Sequence, residues 1–162
     1  MPNSSLIHTA QNLLRNAKVR VTDARLDVLG ALLEKQRALT HTEMQDALPA
    51  LDRVTLYRAL DCLVDAGLAH KITGEDRVFR FSTGNDLSTT MQDRHIQHQH
   101  QHGHFTCTQC GQVHCLDSPE DTLSLKEQLH ASLEAISLKG FQSHDIEVTI
   151  KGWCQQCVLA KK

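Results

Sequence analysis

The stretch Asp52-Arg-Val-Thr-Leu-Tyr-Arg58-Ala-Leu-Asp-Cys-Leu-Val-Asp-Ala-Gly67 runs straight into Leu68-Ala-His-Lys-Ile72-Thr-Gly-Glu-Asp-Arg77-Val-Phe-Arg-Phe81, and its hydrophobic period changes at the join. Before Gly67, the apolar residues Leu56, Leu60, Leu63 and Val64 recur at helical spacing and define one buried face. Asp52 stands at the N-cap, where a carboxylate accepts the first free amides, and Gly67 provides the C-terminal stop. Beyond it, two short apolar runs flank a Gly-Glu-Asp turn, which is the pattern of a hairpin. A helix that ends on glycine and feeds a hairpin matches the last helix and wing of a winged helix-turn-helix.

The residues upstream supply the remaining helices. Leu6, Ala10, Leu13, Leu14 and Ala17 form one helical stripe. Thr22 caps a second helix that carries Leu26, Leu29, Leu32 and Leu33 inward. Thr40 and Glu43 have the spacing of a capping box and open a short helix with Met44, Ala47 and Leu48, which Pro49 ends. In a winged helix-turn-helix the helix before the wing enters the major groove. Arg53, Thr55, Tyr57, Arg58 and Asp61 lie off its apolar face, and amides at its N-terminus favour phosphate. Thr55, Tyr57 and Arg58 can then reach phosphates or bases. The competing reading is a helical scaffold that touches no nucleic acid, with Arg58 an ordinary solvated side chain.

Composition bounds the rest. The chain has 162 residues, enough for one ordinary domain or two small ones, and a formal charge of −2. The segment up to residue 82 carries 11 basic and 10 acidic side chains, against 6 and 9 beyond it, so a polyanionic partner belongs to the first half. No run approaches the ~18 apolar residues of a membrane span. Met1-Pro-Asn-Ser-Ser5 lacks the basic start and apolar run of a secretory signal, so a cytoplasmic location is expected. In that reducing compartment, paired cysteines point to metal rather than to disulfides. Ser82 to Gln101 is polar and turn-rich and reads as a linker. The expected organisation is a winged-helix unit over 1–82, a His-rich hinge over 83–101 and a second unit over 102–162.

Eleven His and six Cys are the anomaly in that composition. Cys107-Thr-Gln-Cys110 and Cys154-Gln-Gln-Cys157 are two C-x-x-C pairs 43 residues apart. Each pair can present two thiolates from one tight turn, and two turns complete a tetrahedral four-cysteine zinc site that holds the fold. Gly111 suits the turn of such a knuckle. Between the pairs, Ser118-Pro119 caps a helix with Leu125, Leu129, Leu133 and Ile136 that ends at Gly140. Ile146, Val148 and Ile150 then alternate as a strand. A redox role for either pair is the weaker reading, because two matched pairs favour structural metal.

A second constellation is looser. His98, His100, His102 and His104 recur with period two, which puts their imidazoles on one face of an extended segment, and His95 lies just before them. Cys115 is left over from the two pairs, and His70 sits on the first wing strand. A site built from His70, His102, His104 and Cys115 would bridge the two halves across the linker. Against it stands a polar histidine loop that binds metal adventitiously, with Cys115 a small core residue. His8 and His130 read as surface residues, Cys62 as packing inside its helix, and His41 as a first-turn residue with no evident ligand role.

These elements together resemble the ferric uptake regulator family of bacterial metal-dependent repressors. The resemblance lies in Arg20-Val-Thr-Asp-Ala-Arg25, Val54-Thr-Leu-Tyr-Arg58, Asp65-Ala-Gly-Leu68, His102-Gly-His104-Phe-Thr-Cys107-Thr-Gln-Cys110-Gly and Gly152-Trp-Cys154-Gln-Gln-Cys157. It covers nearly the whole chain, in the family's order. It implies an α+β protein: an N-terminal winged helix-turn-helix that binds DNA, then a C-terminal α/β dimerisation domain with a structural zinc at Cys107, Cys110, Cys154 and Cys157. It also implies regulatory ligands at His70, His102, His104 and Cys115, with His144 matching a further site in some members. His95, His98 and His100 are additional candidates, and Arg25, Arg53, Thr55, Tyr57 and Arg58 are the candidate DNA contacts.

Departures select the branch. Where iron-responsive members carry a carboxylate five residues after the second knuckle cysteine, this chain has Cys115. Arg80 stands in place of their wing-strand glutamate, and their N-terminal-domain histidine is missing near Ala38. Thiolate with imidazole suits zinc better than a carboxylate-rich site does. Tyr57-Arg-Ala-Leu60 and Gly67-Leu-Ala-His-Lys71 look most like zinc uptake regulators, although a wing-region cysteine of some zinc regulators is absent here. The expectation is a zinc-responsive repressor, not an enzyme, that binds a palindromic operator as a homodimer and controls zinc homeostasis genes. Its competitors are an iron- or peroxide-responsive regulator of the same family and a zinc-storage or metal-delivery protein.

Overall fold

The computed structural model describes residues 4–74, 76–83, 103–116, 127, 129–142 and 148–160. His95, His98, His100, His102, His144, the Ser118-Pro119 cap, Leu125 and Ile146 lie outside the described residues.

Four helices build the first core. Helix α1 spans Ser4–Asn16 and buries Ala10, Leu13 and Leu14. Helix α2 spans Asp23–Lys35, with the Thr22 hydroxyl accepting from the Arg25 amide at 3.4 Å. Helix α3, His41–Ala47, opens on the expected capping box. The Glu43 amide donates to the Thr40 hydroxyl at 3.1 Å, and the Thr40 amide donates to the Glu43 carboxylate at 2.8 Å. Met44 from this helix is buried, whereas Ala47 is exposed and Leu48 half-buried. Helix α4, Arg53–Asp65, begins where Asp52 accepts from the Thr55 amide at 3.0 Å. Gly67 follows it with φ +69°, a conformation that L side chains rarely adopt. Leu14, Leu29, Leu32, Met44, Leu56, Leu60 and Leu63 share one core, and each fully buried leucine stabilises it by ~1.5–3 kcal/mol.

The wing has three strands rather than the expected two. Strand β2, His70–Thr73, and strand β3, Phe79–Ser82, form the hairpin, and strand β1, Leu39–Thr40, pairs antiparallel with the far edge of β3. Two residues are too few to show alternation in a sequence, so only the pairing Leu39↔Phe81 reveals the third strand. Leu39 and Phe81 point into the helical core. Strand alternation then turns His70, Ile72, Arg80 and Ser82 to the opposite face.

A second sheet follows. Strand β4, His104–Cys107, pairs antiparallel with β5, Val113–Cys115, and parallel with β6, Thr149–Gly152, in the order β5-β4-β6. Helix α5, His130–Ser137, lies between them in sequence, and Gly140 follows it at φ +85°. Helix α6, Gln155–Leu159, follows β6. Ile150 on β6 is 51% exposed. Phe141, Trp153 and Leu159 are exposed as well.

The outer face of the wing meets the edge of the second sheet. The Ala38 amide donates to the Val113 carbonyl at 2.9 Å in an antiparallel bridge just before β1. Ala38, Ile72 and Val113 form a small buried cluster, with Cys115 packed against it. Among the described residues, no helix is long and apolar enough to cross a membrane.

Candidate metal centres

The first centre grows out of strand β4. Cys107 ends the strand, a tight turn leads to Cys110, and Gly111 at φ +72° reverses the chain into β5. Cys107 pairs across the sheet with Gly152, two residues before Cys154, which is the N-cap of α6; Cys157 lies inside that short helix. The Thr108 amide donates to the Gly152 carbonyl at 2.8 Å, locking the two turns together. All four Sγ atoms lie within 4.8 Å of one another, and Cys110 Sγ is 3.7 Å from Cys154 Sγ.

The protein already biases one sulfur towards thiolate. The Cys154 amide donates to Cys107 Sγ at 3.3 Å and brings that thiol down to about 6. Burial pushes Cys157 up to about 12. A divalent ion bound by these sulfurs would displace the protons of the remaining thiols. The donor set holds sulfur alone, so it fits a soft or borderline ion in tetrahedral geometry.

The second centre joins the two sheets. His70 opens β2, and His104 and Cys115 are cross-strand partners on β4 and β5. Their donor atoms also lie within 4.8 Å of one another. His70 Nε2 is 3.1 Å from Cys115 Sγ, and the His70 and His104 ring centroids are 5.9 Å apart. Both histidines are buried, at 4% and 7% exposure, which is costly for imidazole unless its nitrogens are engaged. The Cys115 thiol also donates to the Ser82 hydroxyl at 3.4 Å. Cys115 packs against the Ala38 cluster while its sulfur faces His70. His102, the fourth expected member, lies outside the described residues.

Ser82 and the Ala38–Val113 bridge had no signal in the sequence. The first is one serine among many, and the second is made by backbone. Arg80 makes a bidentate contact with Asp76, at 2.7 and 3.0 Å, and this holds the Asp76 carboxyl down at about 2. His8 and His130 are exposed and Cys62 is half-buried in α4.

The candidate DNA contacts divide. Arg53, Tyr57 and Arg58 are exposed along α4. Thr55 spends its hydroxyl on the Asp52 carboxylate, so its first duty is the cap. Arg25 lies on α2 and donates to the Arg20 carbonyl at 2.8 Å. Arg53 and Tyr57 border a cleft of about 280 Å³ between α3 and α4, together with His41, Thr42, Gln45, Asp46 and Leu56.

The family model of the ferric uptake regulator family matches residues 16–150. The zinc uptake regulation protein of Escherichia coli (strain K12) is 28% identical over 161 residues, covering 94% of this chain and 88% of that protein. The peroxide-responsive repressor PerR of Staphylococcus aureus (strain USA300) is also 28% identical, over 148 residues, covering 89% of this chain and 86% of that protein. Among solved structures, a zinc uptake regulator complexed with zinc and DNA superimposes with a TM-score of 0.64 at 22% identity, covering 97% of this chain and 95% of that one. The likeness to solved structures supports the winged-helix fold with its second α/β unit. With the family model spanning most of its length, the chain belongs to the ferric uptake regulator family, whose members are metal-responsive transcription regulators rather than enzymes.

Proposed function

We propose that this chain is a cytoplasmic, zinc-responsive transcriptional repressor that binds palindromic operators as a homodimer and controls zinc homeostasis genes. The observation that carries the proposal is the 3.1 Å approach of His70 Nε2, on the wing, to Cys115 Sγ, on the second sheet. Cys107, Cys110, Cys154 and Cys157 hold the structural zinc, and His70, His104 and Cys115 hold the regulatory one, with His102 as the fourth ligand. Zinc bound at the second centre supplies coordination bonds that tie both halves to a single ion. Cysteine sulfur beside imidazoles, with no carboxylate in the group among the described residues, supports zinc over iron. The zinc uptake relative supports the same choice.

The chain is organised as a DNA-binding unit over 1–82, a hinge over 83–101 and a dimerisation unit over 102–162. The exposed Phe141, Ile150, Trp153 and Leu159 supply apolar area for a second copy to cover. His70 lies on the wing and directly follows the α4 turn, so any force that fixes His70 against β5 also fixes the reading helix. In a symmetric dimer, this sets the spacing of the two copies of α4 against successive turns of the groove. The Ala38–Val113 bond and the Ile72 contact hold the two halves in the register that brings His70 to Cys115.

A gel shift over buffered free zinc, on an operator selected from random DNA, tests this reading. With the structural zinc retained, zinc is expected to tighten operator binding tenfold or more, equivalent to about 1.4 kcal/mol of coupling. Equal affinity with and without the regulatory ion would overturn it. The peroxide-responsive relative has the same identity to this chain and favours a second reading. That alternative predicts that iron(II) rather than zinc raises the affinity, and that peroxide then abolishes it. A storage protein would show several weak zinc sites and no saturable operator binding.

A further inference from the structure

We propose that His41 is a positioning residue for DNA reading, holding the Tyr57 ring in the orientation it presents from helix α4. The inference rests on the proposed role of α4 as the reading helix. The His41 ring is wedged between two aromatic rings: its centroid is 4.2 Å from Tyr57 at 53° and 4.7 Å from Phe81 at 70°. Tilted and edge-on contacts at these separations are the favoured geometries of aromatic pairs.

The two ends of this stack differ in burial. Phe81 is 1% exposed and locked in the core between β1 and β2, whereas Tyr57 is 39% exposed on α4. His41 transmits the fixed position of the first ring to the second. Its own backbone is held at the first position of α3, where the Thr40–Glu43 capping box closes and Arg37 pairs with Glu43 at 2.8 Å. Three elements therefore converge on the side chain that faces the α3–α4 cleft, and Arg53 lines the same cleft.

The charge of His41 fits this role. Burial lowers its pKa, Lys71 on β2 acts in the same direction, and Asp61 on α4 opposes them. These influences together favour the neutral ring, which packs as an aromatic surface without carrying a charge into the stack. An exposed tyrosine with no such support would sample several rotamers and lose that freedom on binding, at a cost in affinity. Tyr57 is the chain's one tyrosine, so its ring can be observed alone.

The test combines a binding cycle with a direct view of that ring. In the zinc-loaded dimer, His41→Ala should weaken binding to the selected operator about tenfold and leave binding to random DNA unchanged. In a Tyr57→Ala background, the same change should have no further effect. His41→Phe should restore most of the affinity, whereas His41→Leu, which fills space without a ring, should not. Without DNA, the tyrosine ring protons in a selectively labelled sample should move towards random-coil shifts in His41→Ala and His41→Leu, but not in His41→Phe. Losses that persist in the Tyr57→Ala background, rescue by leucine, or unmoved tyrosine signals would each overturn the assignment. Wild-type protein that fails to prefer the operator over random DNA would sink the reading role of α4 along with it. A tyrosine ring released by His41→Ala would still, in that case, report the packing itself.

Discussion

Cys107→Ser is expected to cost the protein its structural zinc and the order of its second sheet, while the helical core survives. Cys107 is fully buried, and its backbone carries two sheet registers at once. Its amide donates to the Gln112 carbonyl at 2.9 Å, and it pairs with Gly152 across β4 and β6. Its sulfur also receives the Cys154 amide. Around it, few other side chains of the second half are buried among the described residues: His104 and Val113 are the others. Among the described residues this core is thin, so a bound metal is expected to add substantially to its stability. Structural zinc sites bind with about 10–16 kcal/mol in small domains. That matches or exceeds the ~5–15 kcal/mol by which ordinary domains are stable. Metal analysis should show one zinc fewer per chain. Hydrogen exchange should speed up across 104–115 and 149–160 and stay slow in α2 and α4, whose core is separate. Wild-type zinc content with unchanged exchange at 104–107 would remove the structural role.

His70→Ala and Cys115→Ser should leave a folded, structurally zinc-loaded dimer that has lost its metal response. In the wild type, the ratio of operator affinities between high and low buffered zinc is expected to be tenfold or more. In either variant it should fall to within about twofold, a loss of about 1 kcal/mol of coupling. Combining the substitutions should do no more than either alone, because both break the same bridge and partners in one interaction are not additive. Operator titrations at two zinc levels, with sedimentation to check the dimer, decide it. A wild-type ratio in His70→Ala would mean that the wing takes no part in the metal response.

Much of this was legible in the sequence because it was local. Thr22, Thr40 with Glu43, Asp52 and Gly67 are short-range signals, and each helix boundary they imply stands within a residue or two in the structure. The two C-x-x-C pairs are also local, and only the closure between them needed the parallel pairing of β4 with β6. The features without a sequence signal are made by residues distant along the chain or by backbone alone. Strand β1 is two residues long. The Ala38–Val113 bond involves no side chain, and Ser82 finds Cys115 across 33 positions. His41 gave no periodic signal, and its meaning lies in the two rings it touches. Thr55, an expected DNA contact, has its hydroxyl on the Asp52 carboxylate of the helix cap, a pairing that its off-face position alone did not signal.

Cobalt(II) titration of protein that retains its structural zinc bears most directly on the shared ion. The next equivalent is expected to bind with the charge-transfer band of a single thiolate ligand. That affinity should drop in His70→Ala, altered on the wing, as clearly as in Cys115→Ser, altered on the second sheet. A His70→Ala protein that takes up cobalt with wild-type affinity and spectrum would place every ligand on one side of the hinge and contradict the account.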